Sequence, residues 1–343
     1  MTQTHIASLA RIADFDKNPY DVRALRHGVW ANGEYVLAEV TGIPSELYVI
    51  ETCSGEMIPV QPGDQIIGAL GSRAATLEGV GSCTDVRGGK MHALTGAGLF
   101  GHFTSFAAML PPPLSLHYRG HIVRNGEKIT MRQFAIRAQD TGFSVPTILL
   151  FGTSMSAGKT VTGRRICALL SSAGYRVIGA KLTGAGRLRD IASFKRAGAV
   201  AIFDFVDVGL PSTIVPQDVF RTAIRPLLSH IDKLKPDFLV AEAGASPLEP
   251  YNGEAAIDEL GNNICCSILC ASDPYAVVGV QQAFGHKPDL VAGPAANTTA
   301  AVDLVMKLTG VPAINVIDHG TMPALRTFLE HQLGLNLANQ CSA

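Results

Sequence analysis

The run Thr147-Ile148-Leu149-Leu150-Phe151, followed by Gly152-Thr153-Ser154-Met155-Ser156-Ala157-Gly158-Lys159-Thr160, is the stretch on which the fold turns. This continuous run, four apolar residues behind a β-branched threonine, predicts a strand buried on both faces, as in a parallel sheet. After the loop, Val161, Ile166, Leu169 and Leu170 supply the apolar side of a helix expected over Lys159–Ala173. A loop between such a strand and such a helix aims backbone N–H groups and a helix amino terminus at phosphate oxygens. Lys159 adds a point charge toward the β and γ phosphates, and the Thr160 hydroxyl is suited to Mg²⁺. Five residues separate Gly152 from Gly158, where the common phosphate loop has four, and Thr153 stands where its first glycine would fall.

Outward from this stretch the pattern repeats. Strands are expected at Val177–Leu182, Val200–Phe205, Phe238–Ala243, Ile264–Ala271, Leu290–Gly293 and Ala313–Ile317. Helices are expected at Leu188–Ala197, after Pro216, at Ala300–Leu308 and from about Pro323. Strands alternating with helices indicate βα units and a sheet covered on both faces. Residues 146–343 therefore read as an α/β domain, a doubly wound, mostly parallel sheet carrying the phosphate loop. Residues 1–145 read as a smaller β-rich (α+β) domain. Its short runs, Glu34–Val40 and Ser45–Ile50, are punctuated by Asn32-Gly33, Gly42 with Pro44, Ser54-Gly55 and Pro62-Gly63-Asp64. The glycine-rich stretch Gly63–Gly101 turns tightly or approaches other backbone closely, Pro111-Pro112-Pro113 is an internal loop, and Gln133–Gly142 is the linker.

Composition narrows the function. The 343 residues carry 28 Lys+Arg against 29 Asp+Glu, 47% are hydrophobic and 17% charged. Such a chain buries a full core and is not disordered. Near-zero net charge argues against nucleic acid or an anionic membrane as partner, since both need a basic face. No apolar run reaches the roughly 18 to 20 residues of a membrane helix, and the amino terminus lacks the apolar core of a signal peptide. Seven cysteines, three of them in Ile264-Cys265-Cys266-Ser267-Ile268-Leu269-Cys270, read as reduced thiols and a cytoplasmic setting.

Several charged residues sit where strands should end. Glu242 closes Phe238–Ala243, and a carboxylate at a parallel strand's carboxyl end faces the crevice where ligands bind, or else caps the following loop. Lys181 closes another apolar strand, where an ammonium needs an anion such as a substrate carboxylate or phosphate. Arg187 and Arg189 beside Gly184 and Gly186 either clamp an anion or are a solvated helix start. Asp204 and Asp207 are candidates for a second acid. The stretch Gly68–Arg73 is an anion-binding turn or a plain β-turn. His92, His102, His117 and His121 read as packed or surface histidines rather than a metal face.

The loop GTSMSAGKT resembles that of dethiobiotin synthetases, which open on Gly-Thr and close on Gly-Lys-Thr. The resemblance extends over about residues 146–320 and implies further roles. Gly152, Thr153, Ser154, Ser156, Ala157, Gly158, Lys159, Thr160 and Val161 would hold the nucleotide. Thr160, Asp190 in RLRDIASF and Glu242 would hold Mg²⁺, although Asp190 also suits an ordinary first-turn helix acid. Lys181, Thr183, Gly184, Arg187, Gly244, Ala245 and Ser246 would line the substrate side, with Lys159, Lys181 and Glu242 catalytic. The chain is also similar to a two-domain P-loop family that includes D-glutamate N-acetyltransferases. There an asparagine matching Asn297 would meet the adenine edge, though a helix N-cap explains Asn297 equally. Leu182 stands where the synthetases have a proline after the lysine, Ser154 replaces an aspartate usual in the second family, and the loop after Glu242 departs from both.

The first expectation is an ATP- and Mg²⁺-dependent enzyme that activates a small, amino-acid-like carboxylate for amide or ring formation. An acyl-CoA-dependent N-acyltransferase, with acetyl-CoA in the loop, is the alternative, and a non-enzymatic nucleotide switch or maturation factor is the third reading, its GTP-dependent version weakened by the lack of a guanine-specifying Asn-Lys-x-Asp motif. A homodimer follows from the resemblance alone. All enzyme readings place the nucleotide on Lys159, so Lys159→Ala should abolish binding of ATP and of acetyl-CoA alike in titration calorimetry.

Overall fold

The computed structural model describes residues 3–42 and 49–337. Residues 45–48 of the predicted run Ser45–Ile50, with Pro44, lie outside the described residues, as does Cys341. The chain forms two compact units. The first runs through Arg137 and includes Ala185–Arg189 and Asp204–Val219 from later in the sequence. The second comprises Ala138–Gly184, Asp190–Phe203 and the chain from Phe220 onward.

The first unit is β-rich, as its turn spacing predicts. Its strands are β1 (Thr4–Ile6), β2 (Asp21–Arg23), β3 (Tyr35–Val40), β4 (Val49–Glu51), β5 (Met57–Pro59) and β6 (Gln65–Leu70). They continue as β7 (Ser72–Ala75), β8 (Gly79–Ser82), β9 (Lys90–Thr95), β10 (Leu99–Phe106), β11 (Ser115–Arg124) and β12 (Glu127–Lys128). Strands β6, β3, β11, β9 and β10 pair in that order, and β10 pairs back onto β6 in parallel, which closes a barrel. Closure demands glycine: a Cβ on Gly68 would lie 2.3 Å from the carbonyl oxygen of Gly98. Val36, Ala38, Ile66, Leu70, Met91, Phe100 and Leu116 fill the interior.

Several charged and polar side chains of this unit find their partners within it. Arg73 donates to the Leu94 carbonyl and pairs with Glu78, so the Gly68–Arg73 stretch is two strands and not an anion turn. His117 and His121 lie four residues apart on strand β11, a separation of about 13 Å. His121 is fully buried, with Nε2 hydrogen-bonded to Glu34 Oε2 at 3.0 Å and Nδ1 to the Tyr118 hydroxyl at 2.6 Å. Arg11 holds both Asp204, at 2.5 Å, and Asp207, at 3.1 Å. These two carboxylates are thus committed within the first unit, not free as the second acid expected of them.

The second unit contains β13 (Thr147–Gly152), β14 (Val177–Thr183), β15 (Ala201–Asp204), β16 (Phe238–Ala243), β17 (Ile264–Cys270) and β18 (Leu290–Ala292). Their order is β15-β14-β16-β13-β17-β18, and the five from β14 to β18 run parallel. Helices α1 (Lys159–Ser172), α2 (Leu188–Arg196), α3 (Gln217–Lys233), α6 (Thr299–Thr309) and α7 (Met322–Leu333) match the expected spans closely. Two helices were not anticipated, α4 (Gly253–Leu260) and α5 (Pro274–Phe284). The second does have a local start signal, because Asp273 Oδ1 accepts from Tyr275 N and Ala276 N ahead of Pro274.

The strand expected over Ala313–Ile317 does not form. Only Ala313 bridges to Val291, after which Asn315 Oδ1 accepts from Ile317 N at 3.1 Å and turns the chain. The core packs tightly around Phe194 of α2. A Cβ on Gly163 or on Gly179 would lie 2.7 or 2.6 Å from its ring, so α1 and β14 close on it only with glycine there. No helix among the described residues is long and apolar enough to cross a membrane, and the six described cysteines are free thiols.

One feature of the barrel has a measurable consequence. His92 and His102 stack with ring centroids 4.7 Å apart, and burial, then the neighbouring His102, pushes His92 from 6.5 down to about 4. The unfolded chain therefore takes up a proton that the folded chain refuses. Stability should fall as pH drops from 6.5 toward 4, and His92→Asn, whose Oδ1 keeps the bond from Phe103 N, should flatten that slope in urea unfolding.

Candidate active site

The phosphate loop follows β13, whose carboxyl end lies between those of β16 and β17. Thr153 N donates to Cys270 O at 3.1 Å, and Ser272 N donates to Thr153 Oγ1 at 3.2 Å, which fixes the loop's start to the end of β17. Gly158 caps α1 at φ +97°, a conformation that favours glycine. Gly293, at φ +82°, backs the loop: a Cβ there would fall 2.2 Å from the carbonyl oxygen of Ala157. Gly152 leaves room for Lys159, since its Cβ would lie 2.9 Å from Nζ. Ser154 and Ala157 are buried, Ser156 is exposed, and Val161 lies half-buried in the first turn of α1.

Lys159 is 2% exposed and donates from Nζ to the Ser154 carbonyl at 2.6 Å. Burial pushes its pKa below the usual lysine value, opposed by the charge of Glu242. A buried ammonium whose hydrogen-bond partner is a neutral carbonyl suits an incoming phosphate oxygen.

Glu242 lies beside Lys181 in the register of β16 on β14 and beside Leu150 in that of β16 on β13. It is 4% exposed, and its Oε2 accepts from Thr160 Oγ1 at 3.0 Å. Burial raises its pKa, Lys181 opposes the rise and Asp190 adds to it. The loop-capping role is excluded, because the carboxylate turns to the phosphate-loop hydroxyl. Two hard oxygen donors from Thr160 and Glu242, one on a carboxylate that is costly to ionise, fit a divalent cation such as Mg²⁺.

Lys181 donates to Asp190 Oδ2 at 2.6 Å. The anion its burial called for is thus present within the chain. The two residues expected on the substrate and metal sides are ion-paired with each other. Thr183 Oγ1 donates to the Gly244 carbonyl at 2.5 Å, tying together the loops after β14 and β16. Gly184 takes φ +121°. Ala245 is buried, while Ser246 N donates to Glu249 Oε2 at 2.8 Å and Ser246 Oγ accepts from Leu248 N. Arg187 belongs to the first unit, where it is half-buried.

Asn297 is exposed, and the N-cap of α6 is its neighbour Thr298, whose Oγ1 accepts from Ala301 N at 3.2 Å. The N-cap explanation of Asn297 therefore falls. Asn297 instead lines a cleft of about 310 Å³ together with Val302, Asp303, Ile314, Asn315 and Asp318. The last two were not anticipated, since the failed strand hid them, although Asn and Asp three apart before His319-Gly320 carry a turn signal.

No known family model and no curated protein matches the chain. Among solved structures it is similar to chloroplast FtsY from Physcomitrella patens, at 14% identity over 52% of this chain and 60% of that one, with a TM-score of 0.35. A DUF1611 family protein from Anabaena variabilis is 16% identical over 55% and 58% of the two chains, with a TM-score of 0.37. Nickel-bound HypB from Helicobacter pylori is 14% identical over 58% and 92%, with a TM-score of 0.37. The chain thus spans about 60% of the first two of these chains. At these scores they bear on none of the chemistry, and what the chain itself shows is a parallel strand, a glycine-bounded loop and a helix in the order of a phosphate loop.

The raised pKa of Glu242 makes the site testable without any ligand. The folded state holds this proton to higher pH than the unfolded chain, so stability is lost as pH rises past the ordinary range of a glutamate. Glu242→Gln should raise the Tm of the ligand-free protein at pH 7.5, by more than at pH 5, while abolishing the effect of Mg²⁺ on nucleotide affinity.

Proposed function

We propose that the second unit is a Mg²⁺-dependent enzyme that transfers the γ-phosphoryl group of a nucleoside triphosphate to a small substrate carboxylate, priming it for attack by an amine. The bond between the β,γ-bridging oxygen and the γ-phosphorus breaks, a bond from that phosphorus to the substrate carboxylate forms, and the nucleoside diphosphate leaves. The resemblance to dethiobiotin synthetases supports this class of substrate. The observation that carries the reading is the hydrogen bond from Thr160 to the buried Glu242, 3.0 Å long. A carboxylate joined to the phosphate-loop hydroxyl serves a metal-dependent reaction and has no task in holding the diphosphate of an acyl-CoA.

Mg²⁺, held by Thr160 and Glu242, would neutralise charge on the phosphates. Lys159 leaves the Ser154 carbonyl for a phosphate oxygen. Lys181, parked on Asp190, turns to the substrate carboxylate and holds it in line, which makes the encounter nearly unimolecular.

Release of inorganic phosphate in the presence of amino-acid-like carboxylates tests this. Lys181→Ala should lower substrate-stimulated turnover about 100-fold, as loss of one preorganised electrostatic group does, with nucleotide affinity retained. Acetyl-CoA binding that displaces nothing added with Mg²⁺, and no phosphate release with any carboxylate, would favour the acyltransferase instead.

A further inference from the structure

The cleft beside Asn297 lies one short turn from the phosphate loop. Gly293 packs on the Ala157 carbonyl, and the 3₁₀ turn Pro294–Ala296 leads from it to Asn297. That turn is held by Ala295 N on Ala271 O at 2.9 Å and by Asn297 N on Pro294 O at 3.1 Å. At about 2 Å rise per residue, the cleft begins roughly 6 to 8 Å from the loop, the reach of a ribose. Its volume, about 310 Å³, falls at the low end for small-molecule sites, and Ala296, Val302, Ala313, Ile314 and Ala324 give it apolar walls.

Asn315 decides which polar groups the slot offers. Its Nδ2 donates to the Asn297 carbonyl at 3.1 Å, while its Oδ1 accepts from Ile317 N at 3.1 Å and Asp318 N at 3.4 Å. One amide therefore joins the segment carrying Asn297 to the turn carrying Asp318. Asp318 is pinned in turn, because its Oδ1 accepts from Gly320 N at 2.8 Å and Thr321 Oγ1 donates to its backbone carbonyl at 2.9 Å. Among the described residues nothing donates to Asp318 Oδ2, and the Asn297 side chain has no partner. The slot thus presents two carboxylates, Asp303 and Asp318, of which Asp318 is held in place by its turn, and the Asn297 amide.

Asp318 and the Asn297 amide discriminate between purines. Guanine offers adjacent donors, N1–H and the N2 amino group, with the O6 acceptor beside them. Adenine offers one amino donor next to the N1 lone pair. A carboxylate accepts twice from guanine, whereas on adenine it faces an acceptor and is left partly unpaired. We propose that Asp318 makes this a guanine pocket, with Asn297 donating to O6, so that the nucleotide is GTP rather than the ATP expected from resemblance. The proposal rests on the phosphate-loop reading above and adds the base to it.

Titration calorimetry on the full chain with GDP·Mg²⁺, ADP·Mg²⁺ and xanthosine diphosphate·Mg²⁺ tests it. The wild type should bind GDP at least 10-fold more tightly than ADP. Asp318→Asn should weaken GDP 10- to 100-fold, the range of a lost charged hydrogen bond. The same variant should gain affinity for xanthosine diphosphate, whose C2 carbonyl accepts from the new amide, a gain that general damage to the turn would not produce. ADP binding as tight as GDP, or equal losses of both in Asp318→Asn without the xanthosine gain, would overturn the guanine assignment. If the favoured nucleotide is ADP and its binding needs Lys159, the phosphate-loop reading survives that failure. If no nucleotide binds, or binding persists in Lys159→Ala, both fail together.

Discussion

Four charges brought into one crevice constrain everything around them: Lys159 and Glu242, 2% and 4% exposed, with Lys181 and Asp190. Two cations and two anions balance. Yet each ion taken from water carries a penalty of several kcal/mol, which only close partners offset. The pairing is unequal. Lys181 has a carboxylate at 2.6 Å, whereas Lys159 has only the Ser154 carbonyl and Glu242 accepts only from a hydroxyl in its closest contact. Burial accordingly lowers the lysine's pKa and raises the glutamate's. The two under-compensated charges are the ones that a triphosphate and a divalent cation would complete, which ties the site's electrostatic strain to its proposed ligand.

Holding these charges requires the parallel sheet to end in register. Glu242 faces Lys181 across β16 and β14 because the two strands pair from Val177 on Phe238 onward. That register depends on packing behind the sheet. Phe194 enters between α1 and β14 only because Gly163 and Gly179 lack side chains. The loop in front is held by Gly293 against Ala157 and by Thr153 on β17. Glycine therefore acts twice in this unit, once where a ring must enter the core and once where backbone must touch backbone. In the barrel the same requirement appears at Gly68, where the parallel contact of β6 with β10 closes the sheet.

Much of this was legible in the residues. The run Thr147–Phe151, its loop and the amphipathic side of α1 named the fold and placed Lys159, Thr160 and Glu242 correctly at strand and helix ends. Short-range patterns carry such information because strand burial, loop glycines and helix starts are set within about ten residues. Reading failed where a long-range partner decides. Asp204 and Asp207 were candidates for a second acid, and Arg11, almost two hundred positions earlier, holds them. The apolar residues of Ala313–Ile317 have strand propensity, but Asn315 spends its side chain on the local backbone and ends the pairing after one bridge.

The amino-acid sequence by itself determined that one half of the chain is a β-rich unit, the other a parallel α/β unit, and that a phosphate loop with its lysine and threonine sits between β13 and α1. These follow from periodicity, glycine placement and turn chemistry, all local quantities. Tertiary structure alone decided that the barrel closes on itself and that Thr160 reaches Glu242. It also decided that Asn297 and Asp318 share one cleft. Each of those depends on which distant strands and loops become neighbours, and on which buried charge finds a partner there, a balance of desolvation against pairing that no local pattern encodes.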